Sequence, residues 1–212
     1  MGRRQAIEDS GEKALALRLR MVLALADLRS VTAFHEAGHA VFAVAAGFTV
    51  EHVAFNLELD AARFGETKSI VGGPGPEAFY LDIGAIINAA GLVEEHYRDG
   101  WEPHEGYREA DIRCTRAMLR KVGCHDAFVS VYLSHVDDVT RRMIRQPFVV
   151  DAIRSVGLAF EREIGNDVCR RIPGERAEGL TRAGAAESVR KSLKDQLDAE
   201  LNGMYRLRQW PW

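Results

Sequence analysis

Apolar residues fall at steps of three and four from Phe34 through Ala37, Val41, Val44 and Ala45 to Phe48. That is the period of a helix with one buried face. Ser30 or Thr32 is placed to cap its start, and Gly47 to stop it. The period then changes to two. Over 49–56, Val50, His52, Ala54 and Asn56 alternate with Glu51, Val53 and Phe55, which predicts a strand. A loop and a second short strand at about Glu66–Val71 follow. The run Gly72-Gly73-Pro74-Gly75-Pro76 is a strong breaker. It reads as a flexible loop or turn beside the strands. A phosphate-binding loop would need a Lys-Ser/Thr pair that it lacks.

From Glu77 onward the pattern is helical almost to the end. Helices are expected at 77–98, 106–122, 125–145, 148–171 and 184–203, with breaks near Gly100–Pro103, Gly123, Pro147, Pro173-Gly174 and Gly184. Ahead of the first stripe, residues 1–10 are polar and read as frayed, and Glu12–Leu28 reads as a helix. The fold class is mainly α with a small β-sheet, α+β. No internal repeat stands out. Residues 1–29 form a helical lead-in. The rest divides into a motif-bearing lobe (30–122) and a helical lobe (123–212), or forms one mostly helical domain.

Composition narrows this picture. The chain has 212 residues, 47% of them hydrophobic, enough for a sizeable core. A net charge of -3 argues against general nucleic-acid binding. Cys114, Cys124 and Cys169 are odd in number and contain no C-x-x-C pair, which fits a reducing compartment. The best candidate membrane span, Ala14–Leu28, is interrupted by Arg18, Arg20 and Asp27 and is too short. No signal peptide or membrane span is visible, and a soluble, cytoplasmic protein is expected.

Within the first stripe lies His35-Glu36-Ala37-Gly38-His39, an HExxH sequence. Positions i and i+4 share a helix face, so the two imidazoles can bind one zinc ion, and Glu36 can act as general base on a water beside it. The motif arises by chance in roughly 2% of chains of this composition, so a third ligand matters. A histidine six residues after His39 is excluded, because that position is Ala45. Asp111 is a candidate. It lies on the side of its helix that carries Ile112, Cys114, Met118, Leu119 and Val122, and a carboxylate aimed at a core is costly unless paired or metal-bound. The bland alternative is a first-turn aspartate on the helix dipole. Glu94 follows Ile83, Ile87 and Ala90 on a similar stripe. It is a ligand, a residue that orients one histidine from behind, or a solvated helix edge.

The run Thr32-Ala33-Phe34-His35-Glu36-Ala37-Gly38-His39-Ala40-Val41 resembles the protease domain of the FtsH-type zinc metalloproteases, peptidase family M41. Three further segments agree in order. Phe64-Gly65-Glu66-Thr67 resembles the family's Leu-Gly-x-Thr at the active-site strand. Ala89-Ala90-Gly91-Leu92-Val93-Glu94-Glu95 resembles its Gly-Gly-Arg-Ala-Ala-Glu-Glu. Glu109-Ala110-Asp111-Ile112-Arg113-Cys114-Thr115-Arg116-Ala117 resembles its Asn-Asp-(hydrophobic)-x-x-Ala-Thr segment. The resemblance covers about 30–122 with motif support, and the later helices more loosely. It implies an FtsH-like helical bundle with one Zn2+ per chain, held by His35, His39 and Asp111, and Glu36 as base. The departures are the Ala89-Ala90-Gly91 triplet and the lack of a Walker-type P-loop. The resemblance therefore implies a protease domain standing alone, without the ATP-driven module. Rings of identical chains, or a separate ATPase partner, are what the family would add.

The expected activity is hydrolysis of peptides or unfolded protein segments, with the strand around Gly65, Glu66 and Thr67 pairing with an extended substrate. Two other classes stay open: a silent or regulatory metal-binding protein that uses the protease fold for partners, and a helical structural protein with a chance HExxH. Among other residues, His52 and His125 read as surface or loop positions, and His135 as a satisfied core histidine. His96 and His104 flank a loop within reach of substrate. Cys114 reads as packing, and the tail Tyr205–Trp212 as packed on the body or docking a partner.

Overall fold

The computed structural model describes residues 28–58, 65–70, 84, 86–87, 105–121 and 124–208. The expected lead-in helix before residue 28, the 72–76 breaker, most of the 77–98 helix, Glu94, His96, His104, Val122, Trp210 and Trp212 lie outside these residues.

Helix α1 spans 28–46, and every residue from 30 to 45 except Phe34 is buried. A helix apolar on nearly all sides must be surrounded rather than laid on a surface. Ser30 and Thr32 are not its cap, because the helix begins earlier. Thr32 instead donates its hydroxyl to the Leu28 carbonyl one turn back, at 2.7 Å. The C-terminus ends as expected. Gly47 has φ +87, the Gly47 amide bonds the Val44 carbonyl, and the Phe48 amide bonds the Ala43 carbonyl. This Schellman arrangement needs a residue without a Cβ penalty.

Strands β1 (Thr49–Asn56), β2 (Gly65–Ile70) and β3 (Cys169–Pro173) form a three-stranded antiparallel sheet in the order β2-β1-β3. A bulge in β1 between Val50 and His52 leaves Glu51 without an opposite residue on β2. It also corrects the simple alternation read from sequence. Past the extra residue the parity flips, so Val50 joins Val53 and Phe55 on one face instead of opposing them. Register places Ser69, Thr67 and Gly65 of β2 and Ile172 of β3 on that same face. Val50, Val53, Phe55 and Ile172 are all buried.

Residues 84, 86 and 87 after β2 are helical, and the helices that follow among the described residues are α2 (Glu105–Lys121), α3 (Asp126–Ile144), α4 (Pro147–Ile164), α5 (Gly174–Gly184) and α6 (Glu187–Arg208). Two of these correct the sequence expectation. The 148–171 helix stops at Ile164, where Gly165 takes φ +58. After a turn at 165–168, Cys169–Pro173 form β3, whose backbone groups are satisfied by pairing with β1. Helix α5, between Pro173 and Gly184, was bounded by the expected breaks yet not expected as a helix. Its first residue presses on β1, where a Cβ at Gly174 would overlap the Val50 carbonyl oxygen.

Core side chains tie the layers together. Phe160 of α4 meets Phe55 of β1 edge-on, with centroids 6.3 Å apart. Gly157 lets α4 approach α1 closely, since a Cβ there would stand 2.7 Å from the Phe34 ring. Val156 and Ile164 of α4, Tyr132 and Val139 of α3, and Leu193 and Leu197 of α6 are almost wholly buried. Among the described residues no helix is long and apolar enough to cross a membrane.

Candidate metal centre

The buried helix α1 presents His35 and His39 one turn apart, at 3% and 6% exposure. Their Nε2 atoms are 3.1 Å apart and the rings stand nearly perpendicular, at 83°. Helix α2 supplies Asp111, whose Oδ2 lies 3.3 Å from each Nε2. Because α2 starts at Glu105, Asp111 sits in the second turn, beyond the reach of a helix-terminus dipole. The dipole alternative therefore fails, and the side chain points at the histidines. Among the described residues these three form the group able to hold a metal ion.

Three details bear on what the group does. First, Asp111 Oδ2 is buried with the two imidazole Nε2 atoms 3.3 Å away on either side, and a buried carboxylate oxygen is stable there only beside a positive charge, a donor or a proton. Second, His39 Nδ1 faces the Ile87 main-chain oxygen. A carbonyl only accepts, so Nδ1 carries the proton. In the neutral ring the Nε2 lone pair is thereby turned toward His35 and Asp111. Third, the charges are strongly coupled. Burial works to lower the His39 pKa, yet the facing Asp111 carboxylate outweighs it and the pKa is raised. Burial works to raise Asp111, but the adjacent imidazoles hold it far below the usual carboxylate range.

Glu36 is 2% exposed and points toward β2. Burial raises its pKa, against the lowering influence of His35, His39 and the Thr67 hydroxyl. Thr67 Oγ1 donates to Glu36 Oε2 at 2.6 Å. Gly65 faces the same carboxylate, and a Cβ there would overlap Glu36 Oε1. Glu66 lies on the opposite face of β2, 3.6 Å from His52 Nε2.

Sequence reading brought together His35, Glu36, His39 and Asp111. It missed the Ile87 carbonyl, because a main-chain oxygen leaves no trace in residue identity. His52 corrects the surface reading. It is 6% exposed, with the Arg171 guanidinium 2.8 Å from its Nδ1. His125 is exposed and caps α3, accepting from the Ala127 amide. His135 is only half-buried, and its Nε2 has no partner among the described residues, so it is not a satisfied core histidine. Compared with protein-family models, with curated proteins and with solved structures, the chain finds no match.

Proposed function

We propose that this chain is a zinc-dependent metallopeptidase of the FtsH type, acting on peptides or unfolded segments. One observation carries the reading: two histidines one helical turn apart and an aspartate from a second helix converge on a single point beside a buried glutamate. The donor spacing is compatible with zinc. Four-coordinate zinc with ligands at about 2.0–2.1 Å needs donor atoms about 3.3 Å apart, and the three edges here are 3.1, 3.3 and 3.3 Å. Two imidazoles and one carboxylate are also a donor set zinc accepts, and three protein ligands leave one position open.

His35, His39 and Asp111 would hold the ion, and the Ile87 carbonyl keeps the His39 ring turned toward it. When bound, zinc supplies a Lewis acid that polarises the scissile carbonyl and acidifies water. Glu36 takes the proton from the attacking water and delivers it to the leaving nitrogen, the general-base and general-acid roles in turn. Strand β2, which carries the residues facing Glu36, is one of the two outer strands of the sheet among the described residues, which suits it to pair with an extended peptide through main-chain hydrogen bonds.

The test is a peptide-library or casein assay on zinc-loaded protein beside Glu36→Gln. The variant should keep its zinc while turnover falls by about 100- to 10,000-fold. Full activity in zinc-loaded Glu36→Gln would sink the mechanism. An inert wild type with stoichiometric zinc would favour a silent metal-binding protein instead.

A further inference from the structure

We infer that Thr67 is a positioning residue for the general base, fixing the Glu36 carboxylate by a hydrogen bond to its Oε2. This rests on the peptidase reading above. The face of the sheet that carries Thr67 is otherwise apolar where its residues are buried, with Val50, Val53, Phe55 and Ile172. Thr67 stands directly opposite Val53. Valine at 67 would match threonine in shape and suit a strand at least as well. Nothing in the sheet therefore asks for a hydroxyl at this position; its partner is on α1.

The hydroxyl lies 2.6 Å from Glu36 Oε2 and 3.2 Å from the Glu36 main-chain oxygen. It has one proton to give, and the shorter contact is the carboxylate. Two residues earlier on the same face, Gly65 leaves the room the carboxylate fills. A Cβ there would overlap Oε1 and stand 2.8 Å from both Glu36 Cγ and Thr32 Cγ2. The strand thus provides a donor where one oxygen is held and an empty place where the other fits. A glutamate has three side-chain torsions to restrain, and a misplacement of about 1 Å at a reacting group can cost about 100-fold in rate.

The experiment compares zinc-loaded wild type, Thr67→Val and Thr67→Ser. Thr67→Val should keep one zinc per chain and hold KM within about twofold while kcat falls about 10- to 100-fold. Thr67→Ser, which restores the donor, should return kcat to within about threefold of wild type. Crystal structures of the same proteins give a readout independent of turnover: the Glu36 carboxylate should leave β2 in the valine variant and return in the serine variant. Unchanged kcat in Thr67→Val, or a Glu36 carboxylate that stays in place there, overturns the inference. A fall in stability alone, with kcat intact, overturns it equally. If Thr67→Val does not fold, Thr67→Ala removes the same hydroxyl, and an unmoved Glu36 carboxylate in that variant overturns the inference. Should the wild type prove inert on peptides, the peptidase reading fails, while the crystallographic position of Glu36 still decides the role of Thr67.

Discussion

Zinc should stabilise this protein, and Asp111 should control by how much. The three donors stand 3.1–3.3 Å apart before any ion is added, so little rearrangement opposes binding. A ligand that binds only the folded state stabilises it by RT ln(1 + [L]/Kd), about 2.7 kcal/mol at a hundredfold excess over Kd. For a chain of 212 residues, each kcal/mol moves the melting midpoint by about 2–4 °C, so zinc should raise it by about 5–11 °C. Asp111→Ala leaves two imidazoles. If affinity falls a hundredfold, the same zinc concentration contributes only about 0.4 kcal/mol, a shift of under about 2 °C. Zinc also binds thiols of the unfolded chain, and three cysteines are present, which makes the calculated wild-type shift an upper bound. Calorimetry on chelator-stripped protein, titrated with zinc and separately with magnesium, gives these numbers. Magnesium prefers oxygen donors in octahedral geometry and should shift the midpoint little. No zinc shift in the wild type, or an equal shift in Asp111→Ala, would refute the three-donor site.

Zinc affinity should fall as pH drops, beginning above the ordinary histidine value of 6.5. The apoprotein's His39 has a raised pKa, so below it a proton must be displaced, at about tenfold in affinity per pH unit. Competition with a chromophoric chelator from about pH 8 downward measures the onset. Asp111→Asn removes the facing charge and should move that onset to lower pH, and an onset at or below 6.5 in the wild type would contradict the coupling. Phe160→Ala removes a ring with no exposure that packs on Phe55 and should cost about 3–5 kcal/mol. That appears as a lower urea midpoint at unchanged slope, and a loss under about 1 kcal/mol would mean the site collapses to fill the cavity.

What the sequence made legible follows the range of the interactions. The His35–His39 pair is fixed by helical period alone, and Gly47 ends α1 through a conformation written in its own residue type. Asp111 was legible because a carboxylate on an apolar stripe is a local contradiction that needs a distant answer. The β3 strand was not. Residues 169–173 join the sheet through pairing with β1, more than a hundred positions earlier in the chain, and no local periodicity encodes a partner at that distance. The bulge at Glu51 escaped for a related reason: it exists in the register between two strands, not in the composition of either.

The same distinction governs how the candidate site is built. Its donors come from α1 and α2, elements that period and polarity identify, whereas its orientation comes from the backbone at Ile87 and from a sheet whose register the bulge sets. Thr67 and Gly65 reach Glu36 only because they share a face with Val50, Val53 and Phe55. A one-residue slip of β2 would turn them to the face that carries His52 and Glu66 and bring Glu66 or Lys68 toward the carboxylate. The bulge keeps Val50 in the core while that register is held, so the packing that stabilises the sheet is also what holds Glu36 to its hydrogen bond.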